Sequence, residues 1–145
     1  MNSTRDAADL LTALATAADR FRKTGYAIFL RHQEESRWRP FSNYGGPSGK
    51  RSTGLGFVII LQDGRELCVS ATVTATSDGL VISGDTTIDD DKPELAAGNQ
   101  KYLLELPDAV TTTVPDCIST LENYVQQLTN AAPGLVAWAL EQPHP

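Results

Sequence analysis

From Ala7 to Phe21 the apolar residues Ala7, Leu10, Leu11, Leu14, Ala18 and Phe21 recur at helical spacing, with Asp6, Asp9, Asp19, Arg20 and Arg22 falling largely between them. This predicts an amphipathic opening helix. Ser3 or Thr4 is placed to cap its start, acids occupy the first turn, cations the last, and Gly25 stands where the helix should end. After Gly25 the period changes. Tyr26-Ala27-Ile28-Phe29-Leu30-Arg31 reads as a strand because aromatic and branched residues dominate it. A weaker strand is expected over Arg37-Trp38-Arg39-Pro40-Phe41, confined to a sheet edge because Pro40 has no N–H to give a ladder. Ser42 to Gly56 holds five glycines and one proline in fifteen residues and reads as a mobile surface loop.

The middle of the chain is patterned most clearly. Leu55 to Leu61 is followed by Asp63-Gly64, and Leu67 to Thr76 by Asp78-Gly79, dipeptides that favour tight hairpin turns. Three antiparallel strands in a meander are predicted, the third running from Leu80 to Ile88. In the second, Leu67, Val69, Ala71, Val73 and Ala75 alternate with Cys68, Ser70, Thr72, Thr74 and Thr76, giving one apolar face and one small, hydroxylated face. Lys101 to Leu106 reads as a further strand. Thr113, Pro115 and Asp116 mark a helix start, with Ile118, Leu121, Val125 and Leu128 as its buried stripe to about Thr129. Pro133 is expected to begin a last short helix through Leu135, Val136, Trp138 and Leu140. The order is an N-terminal helix, about six strands, a C-terminal helix and a short helix. It predicts a single α+β domain over residues 1–145, with the helices on one face of an antiparallel sheet.

Composition fits such a domain. With 145 residues, 41% of them hydrophobic and 21% charged, the chain can bury a core without disulfides or a structural metal. Cys68 and Cys117 match no metal-ligand spacing and are expected as reduced thiols. The first twenty residues lack the cationic start and apolar run of a secretory signal, and no stretch is apolar for long enough to span a bilayer, so the cytoplasm is the expected location.

Charge adds an asymmetry that the hydrophobic pattern does not contain. Residues 1–66 hold ten Lys/Arg against seven Asp/Glu, a balance of +3, whereas residues 67–145 hold two against eleven, a balance of −9. The densest piece runs from Asp85 through Asp89, Asp90 and Asp91 to Glu94, five carboxylates within ten residues. Such a field attracts cationic surfaces and repels nucleic acid and anionic membrane. The cations of the first part are expected to pair with acids of the second.

Three motif readings fail at named positions. Gly45-Gly46-Pro47-Ser48-Gly49-Lys50-Arg51 is no phosphate-binding loop, because Tyr44 replaces the first required glycine and Arg51 the Ser/Thr. The acidic segment is no helix-loop-helix calcium site, because Pro93 takes a ligand position, Glu94 replaces the turn glycine and Gln100 the bidentate glutamate. Nucleophilic catalysis has only His32 and His144 to draw on, and neither stands in a catalytic pattern. Arg20, Arg22, Lys23, Arg31, Arg37, Arg39, Lys50 and Arg51 lie among aromatic residues, yet the net charge of −6 opposes phosphate binding. No catalytic residue, metal or cofactor is assigned, and neither nucleic acid nor membrane is an expected partner.

An acidic α+β domain of this kind suits a protein that acts by binding. Its layout resembles that of the small immunity proteins of bacterial polymorphic-toxin and contact-dependent inhibition systems: an opening helix, a hydroxyl-rich meander through Gly64-Arg65-Glu66-Leu67 and Ser77-Asp78-Gly79-Leu80, an acidic loop, then Leu104-Glu105-Leu106-Pro107 before a final helix. The resemblance implies a protein that occludes a cognate, basic toxin domain. Asp85, Asp89, Asp90, Asp91 and Glu94 are then the expected contact, with Trp38 or Tyr44 as an aromatic anchor. Two other readings stand beside it. One is a secretion chaperone, small, acidic and dimeric. The other is a small-ligand carrier or enzyme whose pocket lies between sheet and helices and is lined by Ser70, Thr72, Thr74, Tyr26 or His32.

Overall fold

The apolar stripe that opens the chain does not stop at Gly25. In the computed structural model, which describes residues 3–44, 51–89 and 100–142, helix α1 spans Ser3–Arg31. Its buried residues Ala17, Phe21, Gly25 and Ile28 keep helical spacing throughout. The strand expected over 26–31 is therefore helix. Gly25 lies where α1 presses on the sheet: a Cβ there would stand 2.9 Å from Phe57 Cγ and 2.9 Å from Trp38 Cε3. The residue that looks like a stop signal is a point of close approach.

Five strands follow, where about six were expected: β1 Ser36–Tyr44, β2 Arg51–Leu61, β3 Glu66–Thr76, β4 Gly79–Asp89 and β5 Lys101–Thr111. They pair antiparallel in sequence order, a plain meander. β1 takes an edge, as Pro40 requires. Both ends of the loop expected over 42–56 are strand, because β1 reaches Tyr44 and β2 begins at Arg51; residues 45–50 lie outside the described residues. Gly56 is part of β2, where a Cβ would run into the Val69 carbonyl oxygen of β3. Glycine here serves strand contact instead of looseness.

Both turns form as their dipeptides predict. Gly64 (φ 96°) and Gly79 (φ 139°) adopt positive φ. The Asp63 carboxylate accepts from the Arg65 N–H at 3.1 Å, and the Thr76 hydroxyl accepts from the Asp78 N–H at 3.2 Å. Helix α2, Val114–Glu141, starts at the expected cap, with Thr113 Oγ1 accepting from the Asp116 N–H at 3.2 Å. It then continues through Pro133, so the separate short helix is absent. Leu121, Val125, Leu128, Ala132, Val136 and Ala139 keep one face on the core across the proline, and that packing outweighs the lost backbone hydrogen bond.

The last turn of α2 has no cation of its own. Arg65, from the β2–β3 turn, supplies one: its Nη2 donates to the carbonyls of Ala139 (3.1 Å) and Gln142 (3.4 Å) and meets Asp63 at 2.8 Å. The side chain is only 11% exposed, so this charge holds a helix end to the sheet away from bulk solvent.

Both helices cover the same face of the sheet. α1 packs on β1 and β2, α2 on β3, β4 and β5, and the helices touch each other. Phe57, Ile59, Leu67, Val69 and Ile82 from the sheet meet Phe21 and Ile28 of α1 and Leu121 and Leu128 of α2 in one core. Thr86 shares this side, and its buried hydroxyl has no hydrogen-bond partner among the described residues. Tyr124 of α2 donates its hydroxyl to the Pro107 carbonyl, at the point where β5 shifts register against β4.

Candidate functional site

Strand alternation that sends Leu67, Val69 and Ala71 under the helices turns Cys68, Ser70, Thr72 and Thr74 the other way. Among the described residues no helix or further strand packs on that second face, yet Val58 and Thr87 on it are buried, and the Thr87 hydroxyl accepts from Gln100 Nε2 at 3.0 Å. Register sorts it into rows across the strands: Arg37, Ile60, Glu66 and Asp89; then Arg39, Val58, Cys68, Thr87 and Tyr102; then Phe41, Gly56, Ser70, Asp85 and Glu105.

The acids on this face oppose one another. Glu66 stands directly across from Asp89, and Asp85 directly across from Glu105. Directly opposed like charges destabilise a sheet. None of the four forms an ion pair with a described cation. Among the described residues, ion pairs join Asp19 to Arg22 and Lys23, and Asp63 to Arg65, all within residues 1–66. The expected pairing of first-part cations with second-part acids is therefore not found among the described residues. For Asp85 and Asp89 distance explains it: Arg37 and Arg39 lie on β1, three strands from β4, which is about 14 Å.

Burial shapes the chemistry of this face. Asp85 is half-buried, and its carboxyl is pushed above the ordinary range by desolvation and by Glu105, against a hydrogen bond from Ser70 Oγ at 3.4 Å. The Cys68 thiol is pushed up to about 11 by burial and by the nearby carboxylates of Asp85 and Asp89, so it stays protonated and unreactive at neutral pH. Cys117, in the core, is also raised by burial. On the far side of the molecule, hydrogen bonds from Lys23 and Arg22 lower the Asp19 carboxyl.

The residues expected to form a contact are distributed unequally. Asp85 and Asp89 lie on β4 and face away from the helices. Asp90, Asp91 and Glu94 fall outside the described residues. Trp38 is on β1 on the helix side, against Gly25 and with its ring centroid 5.9 Å from that of Tyr26. It cannot share a surface with Asp85. Tyr44 ends β1 opposite Thr53. Sequence reasoning missed Glu66 and Glu105. Glu66 was within reach of it, because it keeps the parity of Cys68 and Ser70. Glu105 alternates with Leu104 and Leu106, but its place opposite Asp85 was not legible, because register shifts on either side displace it from a simple count between β4 and β5.

The pocket expected between sheet and helices does not assemble from the residues named for it. Ser70, Thr72 and Thr74 face away from the helices, whereas Tyr26 belongs to α1 and His32 follows its last turn. A separate groove of about 470 Å³ runs between the first halves of α1 and α2, floored by Ala17, Leu121 and Val125, without a histidine or cysteine in its lining. Among the described residues no three His, Cys, Asp or Glu side chains gather as a metal site, and no helix is long and apolar enough to cross a membrane. Comparison with protein-family models, curated proteins and solved structures gives no match for this chain.

Proposed function

We propose that this chain is a binding protein that neutralises a basic protein partner by covering it, as the immunity proteins it resembles in layout cover their toxins, and that the sheet face turned away from the helices makes the contact. One observation carries the reading: two like-charged cross-strand pairs, Glu66 with Asp89 and Asp85 with Glu105, stand on a face where no described helix or further strand packs and no described cation answers them. The repulsion weakens the free fold, and a partner's lysines or arginines would relieve it on binding, which adds to affinity. The same field speeds encounter with a cationic surface. The strands hold these carboxylates in fixed rows, so little ordering is needed at the moment of contact.

The contact on this reading moves from the loop after β4 to the strand itself, and Glu66 and Glu105 join Asp85 and Asp89. An aromatic anchor on this face is Tyr102, 57% exposed, in place of Trp38. The expected partner is the toxic C-terminal domain of a large secreted protein encoded beside the gene for this chain. Co-expression tests it. The native chain should restore growth to cells producing that domain, and D85K/E105K, folded as judged by circular dichroism, should fail to do so. Growth arrest that the native chain leaves unrelieved, or rescue undiminished in D85K/E105K, overturns the reading.

A further inference from the structure

Both helices end on the same side of the molecule. The Glu35 carbonyl, just past α1, accepts from the Gln62 N–H at 2.9 Å, and nearby Arg65 holds the Ala139 carbonyl close to the end of α2. α1 and α2 therefore run the same way, and the groove between their first halves lies toward the other end. Its floor is apolar and its rims are charged. Ala13 and Ala17 of α1 are small where Ile118 and Leu121 of α2 are long, and Ile118 is left only half-buried. Asp9 stands at the outer end of the α1 wall, Arg20 at the inner end, and Glu122 on the α2 wall. Among the described residues none of these three takes part in an ion pair. α2 contains no lysine or arginine, so Arg20 is the groove's cation.

Shape and charge select the occupant. From Asp9 to Arg20 the groove follows α1 for about 16.5 Å. A volume of about 470 Å³ over that length leaves a cross-section of roughly 28 Å². That admits side chains in single file and excludes a whole helix, which is about 10–12 Å across. Extended backbone pressed on this floor would turn N–H and C=O groups toward alanine and leucine, with only Thr12 and Thr16 to answer them. A helix satisfies its own backbone and lowers only an apolar row, i, i+4, i+7 and i+11, which spans the same length. Its dipole favours acids in the first turn and cations in the last. Those signs meet Arg20 and Asp9 when the helix runs opposite to α1 and α2. We propose that the groove seats an amphipathic helix of a partner protein, antiparallel to α1 and α2, with an acid on Arg20 and cations on Asp9 and Glu122. The groove lies across the sheet from the acidic face and is independent of what that face binds.

Fluorescence anisotropy with a synthetic peptide tests this. The probe is a labelled helix of about fourteen residues, with leucines in the apolar row, glutamate in its first turn and lysines in its last. At about 0.15 M salt the native chain should bind it with a Kd of about 10 µM. It should prefer this peptide by about fivefold over one with lysine in place of the glutamate. Arg20→Glu, folded as judged by circular dichroism, should invert that preference. Ala13→Trp, which fills the groove, should weaken binding at least about tenfold. D85K/E105K, altered on the opposite face of the sheet, should bind as the native chain does. Binding that fails to saturate by about 1 mM peptide overturns the proposal. So does an unchanged preference in Arg20→Glu, unchanged binding in Ala13→Trp, or a loss in D85K/E105K, which would move the peptide to the acidic face.

Discussion

Along β3, neighbouring residues meet opposite surroundings. Leu67, Val69 and Ala71 are buried beneath α1 and α2, while Cys68, Ser70 and Thr72 of the same strand look away from both helices. The first set belongs to the buried apolar core. The second is short, hydroxylated and flanked by carboxylates that repel each other across strands. The core cluster thus lies on one side of the sheet, and the like-charged cross-strand pairs stand on the other.

Substitutions on the two sides should separate accordingly. Phe57→Ala removes a fully buried ring that packs on Phe21 at 6.2 Å between centroids, and should cost about 3–5 kcal/mol in urea unfolding. A loss below about 1 kcal/mol would mean that the helix-side layer is not the seat of stability. Thr86→Val, on the same side, replaces an unpartnered buried hydroxyl with a methyl group. It should raise stability by about 1 kcal/mol, whereas the same exchange at Thr72, facing away from the helices, should change little. Equal effects at the two positions would erase the distinction between the faces.

The smallest effect belongs to Asp85→Asn, and its pH dependence is the informative part. Folding raises this carboxyl above its ordinary 3.8, so the folded chain holds the proton more tightly than the unfolded chain does. Ionisation therefore works against the fold: the penalty is absent below that ordinary value, grows as pH rises toward the folded pKa and is complete above it. Asp85→Asn should then stabilise by about 0.5 kcal/mol at neutral pH, with the gain disappearing near pH 3 in thermal melts. A gain that persists at pH 3 would trace the effect to packing instead of charge.

Where chemistry is local, the sequence is a sound guide. Asp63-Gly64, Asp78-Gly79 and the Thr113–Asp116 cap each act within four residues, and each forms as read. The alternation in β3 likewise separates the two faces. What escapes is decided by distant contacts. Gly25 reads as a terminator until Phe57 and Trp38 are seen against it, and Pro133 reads as a start until Ala132 and Val136 are seen continuing the buried stripe. In both helices the spacing of apolar residues ran on past the apparent breaker, and following it would have corrected the boundary. The candidate site was half legible. Asp85 and Asp89 were singled out for their density, but which acids stand together depends on strand register. That joins Glu66 and Glu105 to them and sends Trp38 to the opposite side.

The contact between α1 and α2 also bears on the order in which this protein can be made. Synthesis delivers the meander early, and its hairpins join neighbours in sequence, so the sheet needs no distant segment to pair. Its apolar face is another matter. Leu67, Val69 and Ile82 acquire their cover from Leu121 and Leu128, in the last described element to leave the ribosome. Until then the nascent chain presents a paired but half-naked sheet, the kind of species that chaperones hold and that aggregates when they do not. A chain cut short within α2 should accordingly yield inclusion bodies and no smaller working domain.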